Sequence, residues 1–271
     1  MVIQWYPGHM AKARREIGEK LKLVDVVLEL ADARIPSSSR NPGIEEIQRK
    51  PHILILTKGD LADEERTNLW VDYWRKQGEE VIVLDVLRRR GLNRLKDAIK
   101  KVHDKNRQPR VLVVGIPNVG NSSLINQLAQ RSSAKIGAKP GVTRSQQWVK
   151  GQGFQLLDTP GLLWPKFDDQ MVAQKLAVVS SIRDEILDIV ELAKWLIDFL
   201  IIHYPEKLIE RYKLENLDDV LVQIAHRRGC LRKGGELDFE QAAQVVLKDF
   251  RTGSLGRISL EVPGEDLTDE D

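Results

Sequence analysis

Cysteine is almost absent from this sequence, because Cys230 is the only one among 271 residues. A single thiol cannot form an internal disulfide, and no signal segment of charged, apolar and small residues opens the chain. We therefore expect a reducing cytoplasm rather than secretion. Cys230 is expected to be a small apolar residue and not a reactive thiol.

Long apolar runs without charges are also missing. The most apolar stretch, residues 186–202, contains Asp188, Glu191, Lys194 and Asp198, which would be costly in lipid. We therefore predict an amphipathic helix here and expect no membrane partner. The predicted buried face consists of Ile186, Ile189, Ala193, Leu196 and Leu200.

The sequence has no large excess of either charge, since 42 basic and 40 acidic residues give a net charge of +2. The balance by itself predicts no polyanionic partner, but the charges are unevenly placed. Residues 88–110 contain ten Lys or Arg against two Asp, and residues 1–22 contain five bases against two acids. A glycine-punctuated basic segment also occupies residues 227–235. Such runs are either solvated helix faces or an RNA-facing surface.

Five apolar runs rich in β-formers are present, and helical patterns or Gly/Pro loops separate most of them. They are residues 24–30, 52–57, 81–84, 110–114 and, more weakly, 154–157. This alternation predicts an α/β fold with a mainly parallel sheet. From about Met171 the pattern becomes helical, which predicts a small all-α domain. The predicted division is a first domain at 1–167, a helical domain at 168–260 and a loose acidic tail at 261–271.

A glycine-rich segment joins the fourth predicted strand to a helical pattern. The run from Gly115 to Ser123 includes Asn118, Val119, Gly120, Asn121, Ser122 and Ser123. Strand, Gly-rich turn and helix in this order are typical of a phosphate-binding loop, whose backbone N–H groups face an anion. Asn121 stands where the motif has Lys, so the ammonium group that reaches the β- and γ-phosphates is missing. Alone, the segment also fits an ordinary βα turn.

Two further segments favour the phosphate-binding interpretation. Asp158 and Gly161 form the D-x-x-G pattern of a GTPase switch, in which the Gly N–H approaches the γ-phosphate. Thr143 lies between loop and switch in a segment that contains Gly137, Pro140 and Gly141. The hydroxyls of Ser122 and Thr143, with a water bound to Asp158, are predicted to hold Mg²⁺.

The run Thr57-Lys58-Gly59-Asp60 follows the second predicted strand and matches the guanine-reading [NT]-K-x-D motif. In that motif the Asp60 carboxylate would accept two hydrogen bonds from guanine while the Lys58 stem lies along the base. Ordinary GTPases have phosphate loop, switch and base motif in that order, whereas here the base motif comes first. The sequence therefore predicts a circularly permuted P-loop GTPase domain that binds GTP or GDP.

The chain resembles the circularly permuted ribosome-assembly GTPases of the YlqF/RbgA family. Beside the motifs above, the resemblance includes residues 5–10 (WYPGHM), residues 32–36 (DARIP), residues 228–230 and the Gly234-Gly235 pair. It implies a maturation factor of the large ribosomal subunit, with a helical C-terminal domain that helps to bind RNA. It also implies GTP hydrolysis that the large subunit stimulates.

The resemblance also suggests roles for single residues. Leu162 follows Gly161, where Ras-like GTPases place a water-orienting Gln, so His9 becomes the candidate catalytic residue. The alternative is that His9 caps a helix near Met10. Asn118 matches a position that helps to hold K⁺ in some relatives, although it also suits a plain turn.

Two departures from the family pattern bear on function. Asn121 lacks the positive charge of Lys, and the element after Leu84 lacks the small polar pair expected near the base. The leading hypothesis is a monomeric, Mg²⁺-dependent GTPase that docks on a maturing large ribosomal subunit and its rRNA. The alternatives are an RNA-binding assembly factor with impaired nucleotide binding or turnover, and a GTPase that serves another structured RNA.

Overall fold

A mixed sheet forms the centre of the first half of the chain. The computed structural model describes residues 18–40, 47, 49–86, 88–103, 107–129, 147–158 and 169–264. Within these residues the strand order is β3-β2-β1-β4-β6-β5. The strands are β1 Val26–Asp32, β2 His52–Thr57, β3 Glu80–Val83, β4 Arg110–Gly115, β5 Gln147–Lys150 and β6 Gln155–Asp158. All neighbours are parallel except β5 and β6.

Apolar sequence explains the inner strands. Every residue of β1 is buried, because helices or loops cover both faces of a parallel sheet. The predicted strands at 52–57, 81–84, 110–114 and 154–157 agree with β2, β3, β4 and β6 within a residue at each end, while β1 begins and ends two residues later than predicted. The sequence pattern missed β5, which has four residues, two of them Gln147 and Lys150, at the edge of the sheet.

The strand order creates a crevice at one place on the sheet. The chain adds β2 and β3 on one side of β1 and then crosses to add β4 on the other side. Ligands of open α/β sheets bind where the order reverses in this way, outside the carboxyl ends of the strands. The loop after β4 begins at that point, directly beside the end of β1.

Helices flank the sheet and then dominate the second half of the described chain. The helices are α1 Glu64–Lys76, α2 Leu92–Lys101, α3 Asn121–Leu128, α4 Gln170–Val178, α5 Ile189–His203, α6 Pro205–Tyr212, α7 Val220–Arg228 and α8 Phe239–Thr252. Helices α4 to α8 follow the sheet as the predicted domain division has it, and that division stays a prediction. None of the described helices is both long and apolar enough to cross a bilayer.

The amphipathic helix predicted at 186–202 is α5, but the predicted first residue of the helix was wrong. The Asp188 carboxylate accepts hydrogen bonds from the N–H groups of Val190 and Glu191, so the helix begins at Ile189. Ile186 lies before this cap in a short 3₁₀ turn and is 55% exposed. The last three predicted residues, Ala193, Leu196 and Leu200, are buried, and Ile189 is partly buried.

Residues 256–261, the C-terminal strap, return from the end of α8 to the sheet. The Leu260 N–H donates to the Arg34 carbonyl at 2.7 Å, and the Ile258 N–H donates to the Leu61 carbonyl at 3.0 Å. The Glu261 carboxylate accepts the Ser37 N–H at 2.7 Å and is 5% exposed. Glu261, which was predicted to begin a loose tail, is therefore fixed; the structure does not describe residues 265–271.

Candidate nucleotide site

The parallel sheet brings the base motif and the phosphate loop together. Thr57 ends β2 and Gly115 ends β4, so both lie at the carboxyl edge of the sheet. The buried Thr57 hydroxyl donates to the Val119 carbonyl at 2.7 Å, and the same oxygen lies 3.1 Å from the Ala31 carbonyl. A contact that spans 62 residues of sequence thus joins the two motifs.

Lys58 is held in a conformation that few non-glycine residues adopt. Its φ is +56°, and its Nζ lies 3.0 Å from Oδ2 of Asp32 at the end of β1. Burial lowers the pKa of Lys58, and the negative charge of Asp32 partly opposes that effect. The next residue, Gly59, donates its N–H to the Leu84 carbonyl at 3.2 Å. The loop that contains the base motif, residues 57–60, is called the base loop below. It is therefore anchored to the ends of β1 and β3.

Asp32 stands at the centre of a buried charge cluster. The Arg34 guanidinium donates two parallel hydrogen bonds to its carboxylate, at 2.9 and 2.7 Å. Burial alone would raise the pKa of Asp32, but the positive charges of Arg34 and Lys58 and the Arg34 hydrogen bonds hold it well below its usual range. Arg34 is 1% exposed, and its guanidinium carbon lies 5.1 Å from the centre of the Phe250 ring of α8. The cluster connects the base loop with the helical half of the chain.

The segment after β3, where the sequence lacks the expected small polar pair, forms a closed turn. The backbones of Asp85 and Arg90 exchange two hydrogen bonds, at 3.0 and 3.3 Å. The Asp85 carboxylate accepts the Arg88 N–H at 2.9 Å. Asp85 thus stabilises its own turn beside the base loop.

The phosphate loop has the backbone shape that an anion requires. Asn118 and Gly120 have φ values of +61° and +110°, which turn the chain sharply into α3. Gly120 is the N-cap of α3; no side chain of the described residues caps the start of this helix, and its first turn contains no acid. The first N–H groups of α3 are therefore suited to an anion at the positive end of the helix dipole.

The side chain of Asn121 bonds to the loop itself. Its Nδ2 donates to the carbonyls of Gly115 and Ile116 at 3.2 and 3.4 Å. Asn121 is 8% exposed, and its Oδ1 is buried without a hydrogen-bond partner among the described residues. A Cβ on Gly115 would lie 2.8 Å from this oxygen, so the amide occupies space that glycine leaves open. Both bonds that its Nδ2 donates are therefore made to the loop itself.

The phosphate loop also contacts the beginning of the helical half. The Asn118 amide donates to the Ser180 carbonyl at 2.6 Å, and the Ser181 hydroxyl donates to the Pro117 carbonyl at 3.1 Å. Ser180, like Asn118, has a positive φ. A ligand that moves the loop would therefore act directly on the segment between α4 and α5.

Several predicted site residues lie outside the described part of the chain. They are His9, Thr143 and Gly161, and of Asp158 only the backbone is described, at the end of β6. Ser122 and Ser123 lie in the first turn of α3. Hydroxyl and carboxylate oxygens in such positions are the ligand type that Mg²⁺ prefers. Among the described residues, no group of three or more His, Cys, Asp or Glu side chains forms a metal cluster.

Sequence reasoning missed the support of the base loop. Asp32 and Arg34 were noted only as part of the DARIP run, and Arg257 was not noted at all. Asp32 had a detectable signal, since a carboxylate at the carboxyl end of a buried strand faces the ligand edge of a parallel sheet. Arg257 gave no such signal, because its partners Ala62 and Gly59 lie 195 and 198 residues earlier in the chain.

The fold and the site define a class of protein. A mainly parallel sheet, a glycine-capped phosphate loop at the switch point and a base motif that precedes it describe a circularly permuted P-loop GTPase. Two family models match the chain, one described as 50S ribosome-binding GTPase over residues 110–227 and one as RsgA GTPase over residues 43–168. The chain belongs to the ribosome biogenesis GTPase A family, also called YlqF/RbgA, as its resemblance implied.

Curated relatives and solved structures support this assignment over almost the full length. The chain is 46% identical to ribosome biogenesis GTPase A of Bacillus cereus, over 98% of this chain and 95% of that protein. Identity to the Thermotoga maritima protein of the same name is 36%, over 98% and 96%. The crystal structure of GNP-bound YlqF from T. maritima matches with a TM-score of 0.67 at 30% identity, over 94% of this chain and 99% of that one. A GDP-bound YlqF structure matches equally well.

Proposed function

We propose that this protein binds and hydrolyses GTP in the cytoplasm while it docks on a maturing large ribosomal subunit, and that nucleotide state times its release. The observation that carries the proposal is the 2.7 Å hydrogen bond from Thr57 to Val119, which joins a base motif to a phosphate loop. The relatives named ribosome biogenesis GTPase A support the ribosomal assignment. Nucleotide binding is supported by the GNP- and GDP-bound relatives.

Each part of the nucleotide has a proposed set of residues. Lys58 and Asp60 read guanine, and the Thr57 hydroxyl ties their loop to the phosphate loop. The backbone from Asn118 to Ser123 holds the phosphates, and the Gly161 N–H approaches the γ-phosphate. Ser122, Thr143 and Asp158 would hold Mg²⁺, which neutralises charge that develops on the phosphates. His9 would orient the attacking water.

Asn121 sets the expected strength of phosphate binding. Its amide donors are used by the carbonyls of Gly115 and Ile116, so the loop offers the phosphates backbone N–H groups and no ammonium group. The loss of a charge-assisted hydrogen bond typically weakens binding by about ten- to a hundredfold. We propose a GTPase with a reduced hold on the γ-phosphate. The names of the relatives do not favour the alternative of an RNA-binding factor without turnover.

The substitution Asn121→Lys tests this account. GTP binding and hydrolysis would be measured with and without large ribosomal subunits, for the original chain and for the variant. We expect hydrolysis by both proteins and GTP affinity roughly tenfold or more higher for the variant, because Lys can reach the phosphates. Equal affinities would refute the role given to Asn121. No GTP binding by either protein would refute the enzyme proposal.

The charged surfaces support an RNA partner, and one of them does so more than the other. In the described chain Arg89, Arg90, Arg94, Lys100 and Lys101 are exposed and have no acidic partner within ion-pair distance. In the basic segment at 227–235, by contrast, Arg227, Arg228 and Arg232 already pair with Glu215, Asp249 and Asp238. Unpaired cations are free to replace the counterions of a phosphate backbone. We propose that the turn after β3 and helix α2 form the main rRNA-facing surface.

Co-sedimentation with ribosomal subunits at rising salt tests the partner. We expect binding to the large subunit that weakens steeply with salt, since each phosphate contact contributes to the salt dependence. Binding to free RNA but to neither subunit would refute the ribosomal assignment and favour another structured RNA. Potassium, which Asn118 would help to hold, is tested by a comparison of hydrolysis in K⁺ and Na⁺.

A further inference from the structure

We propose that Arg257 is a positioning residue for guanine recognition, through its contacts with the loop that contains Lys58 and Asp60. This inference rests on the proposed function, in which that loop reads the base. Arg257 belongs to the C-terminal strap and lies about 200 residues beyond the loop that it contacts. It would not touch the nucleotide, and its effect would pass through the loop backbone.

The guanidinium of Arg257 joins three points of the loop region. Its Nη2 donates to the Gly59 carbonyl at 3.0 Å, and its Nε donates to the Ala62 carbonyl at 2.7 Å. Its Nη1 lies 2.8 Å from Oε2 of the exposed Glu64. Only arginine presents several donors in a fixed plane, so no other residue could satisfy both carbonyls in this geometry. Gly59 lies between the two base-reading residues, so this contact acts on both.

The backbone of the strap extends the same contact. The Ile258 N–H donates to the Leu61 carbonyl, and the Ser259 hydroxyl accepts the Asp63 N–H at 3.0 Å. On its opposite side the loop packs closely against β3. A Cβ at Gly59 would lie 2.6 Å from the Val83 side chain, so there is no room for a side chain at this position. The loop is therefore clamped between the strap and the end of β3.

A second chain of contacts reaches Lys58 from the other direction. The Leu260 N–H donates to the Arg34 carbonyl, and the Arg34 side chain binds Asp32, which pairs with Lys58. Lys58 has a positive φ, a conformation that the surroundings must impose on a residue other than glycine. We infer that the strap supplies part of that constraint and so prepares the loop before the nucleotide arrives.

The test compares the binding of GDP and of inosine diphosphate, which lacks only the 2-amino group that Asp60 would bind. Calorimetry would measure both for the original chain, Arg257→Ala, Arg257→Lys and the control Glu64→Gln. We expect Arg257→Ala to weaken GDP binding about tenfold and inosine diphosphate binding much less, since the lost contact orients the base-reading carboxylate. Arg257→Lys should lie in between, because an ammonium group can serve only one of the two carbonyls well. Glu64→Gln should bind GDP like the original chain.

The outcomes separate this inference from the proposed function. If the original chain does not prefer GDP over inosine diphosphate, guanine reading by Asp60 is wrong, and the role of Arg257 is wrong with it. If the original chain shows the preference and Arg257→Ala retains it, only the role of Arg257 is wrong. Equal weakening of both nucleotides would also overturn it, since a merely structural contact would act in that way. Arg257→Lys provides the same comparison if the alanine variant does not fold.

Discussion

The two sides of the proposed nucleotide site are built differently. On the base side, Lys58 and Gly59 are held by Asp32, by the end of β3 and by Arg257 from the C-terminal strap. On the phosphate side, the Asn121 amide donates to carbonyls of its own loop, and its buried Oδ1 has no hydrogen-bond partner in the described part of the chain. The base side is therefore prepared by distant parts of the chain. The phosphate loop at residues 115–123 offers backbone N–H donors and contains no positively charged side chain.

The substitution Asp32→Ala is expected to have the largest effect on the base side of the site. It leaves Arg34, which is buried, and Lys58 without their counterion, and an uncompensated buried charge typically costs roughly 3–5 kcal/mol. We expect a loss of unfolding free energy of about that size, measured by urea denaturation, together with weaker GDP binding.

The matched control for that substitution is Asp25→Ala. Asp25 also receives two hydrogen bonds from an arginine, but its partner Arg107 is exposed. Solvent screens such pairs, so we expect a far smaller loss of stability. Similar losses in the two variants would contradict the view that burial makes the Asp32 cluster important.

Acidic pH is expected to have the next largest effect, because it lowers the stability that Asp32 contributes on the base side. The pKa of Asp32 is depressed in the folded state, so its contribution to stability is present above the ordinary pKa of about 3.9 and is lost as pH falls below that value. Each proton taken up can change the unfolding free energy by at most about 1.4 kcal/mol per pH unit. Denaturation between pH 5 and pH 3 would show a shallower decline for Asp32→Asn than for the original chain. Parallel curves would mean that other groups control acid sensitivity.

The smallest expected effect concerns the contact between the two sides. Thr57→Val keeps the shape of the side chain but removes the hydroxyl that donates to the Val119 carbonyl and lies near the Ala31 carbonyl. We expect a loss of about 1 kcal/mol in stability and a few-fold weaker GTP binding. Thr57→Ser retains the hydroxyl and should behave like the original chain. If Thr57→Val binds GTP normally, the two sides of the site do not depend on this hydrogen bond.

Much of this architecture could be predicted because it depends on local pattern. Residues 52–57 and 110–114 are apolar and rich in β-branched or leucine side chains, so their strands were predictable within a residue. The permuted order of the motifs could be predicted because it is visible directly in the sequence. The short edge strand Gln147–Lys150 was missed because its polar residues give little hydrophobic signal. The exposure of Ile186 was missed because the Asp188 cap outweighed helical spacing.

The sequence by itself determined the parallel sheet, the permuted order of the motifs and the helical second half, since short-range periodicity and motif spacing encode all three. Only the tertiary structure decided which groups support the site. Thr57 meets Val119, Asp32 meets Lys58, and Arg257 meets Gly59, although 62, 26 and 198 residues respectively separate them in sequence. Such contacts form only when distant elements of the chain pack together, so no local sequence pattern specifies them. The orientation of the Asn121 amide toward its own loop likewise depends on the space and the carbonyl groups that the folded loop provides.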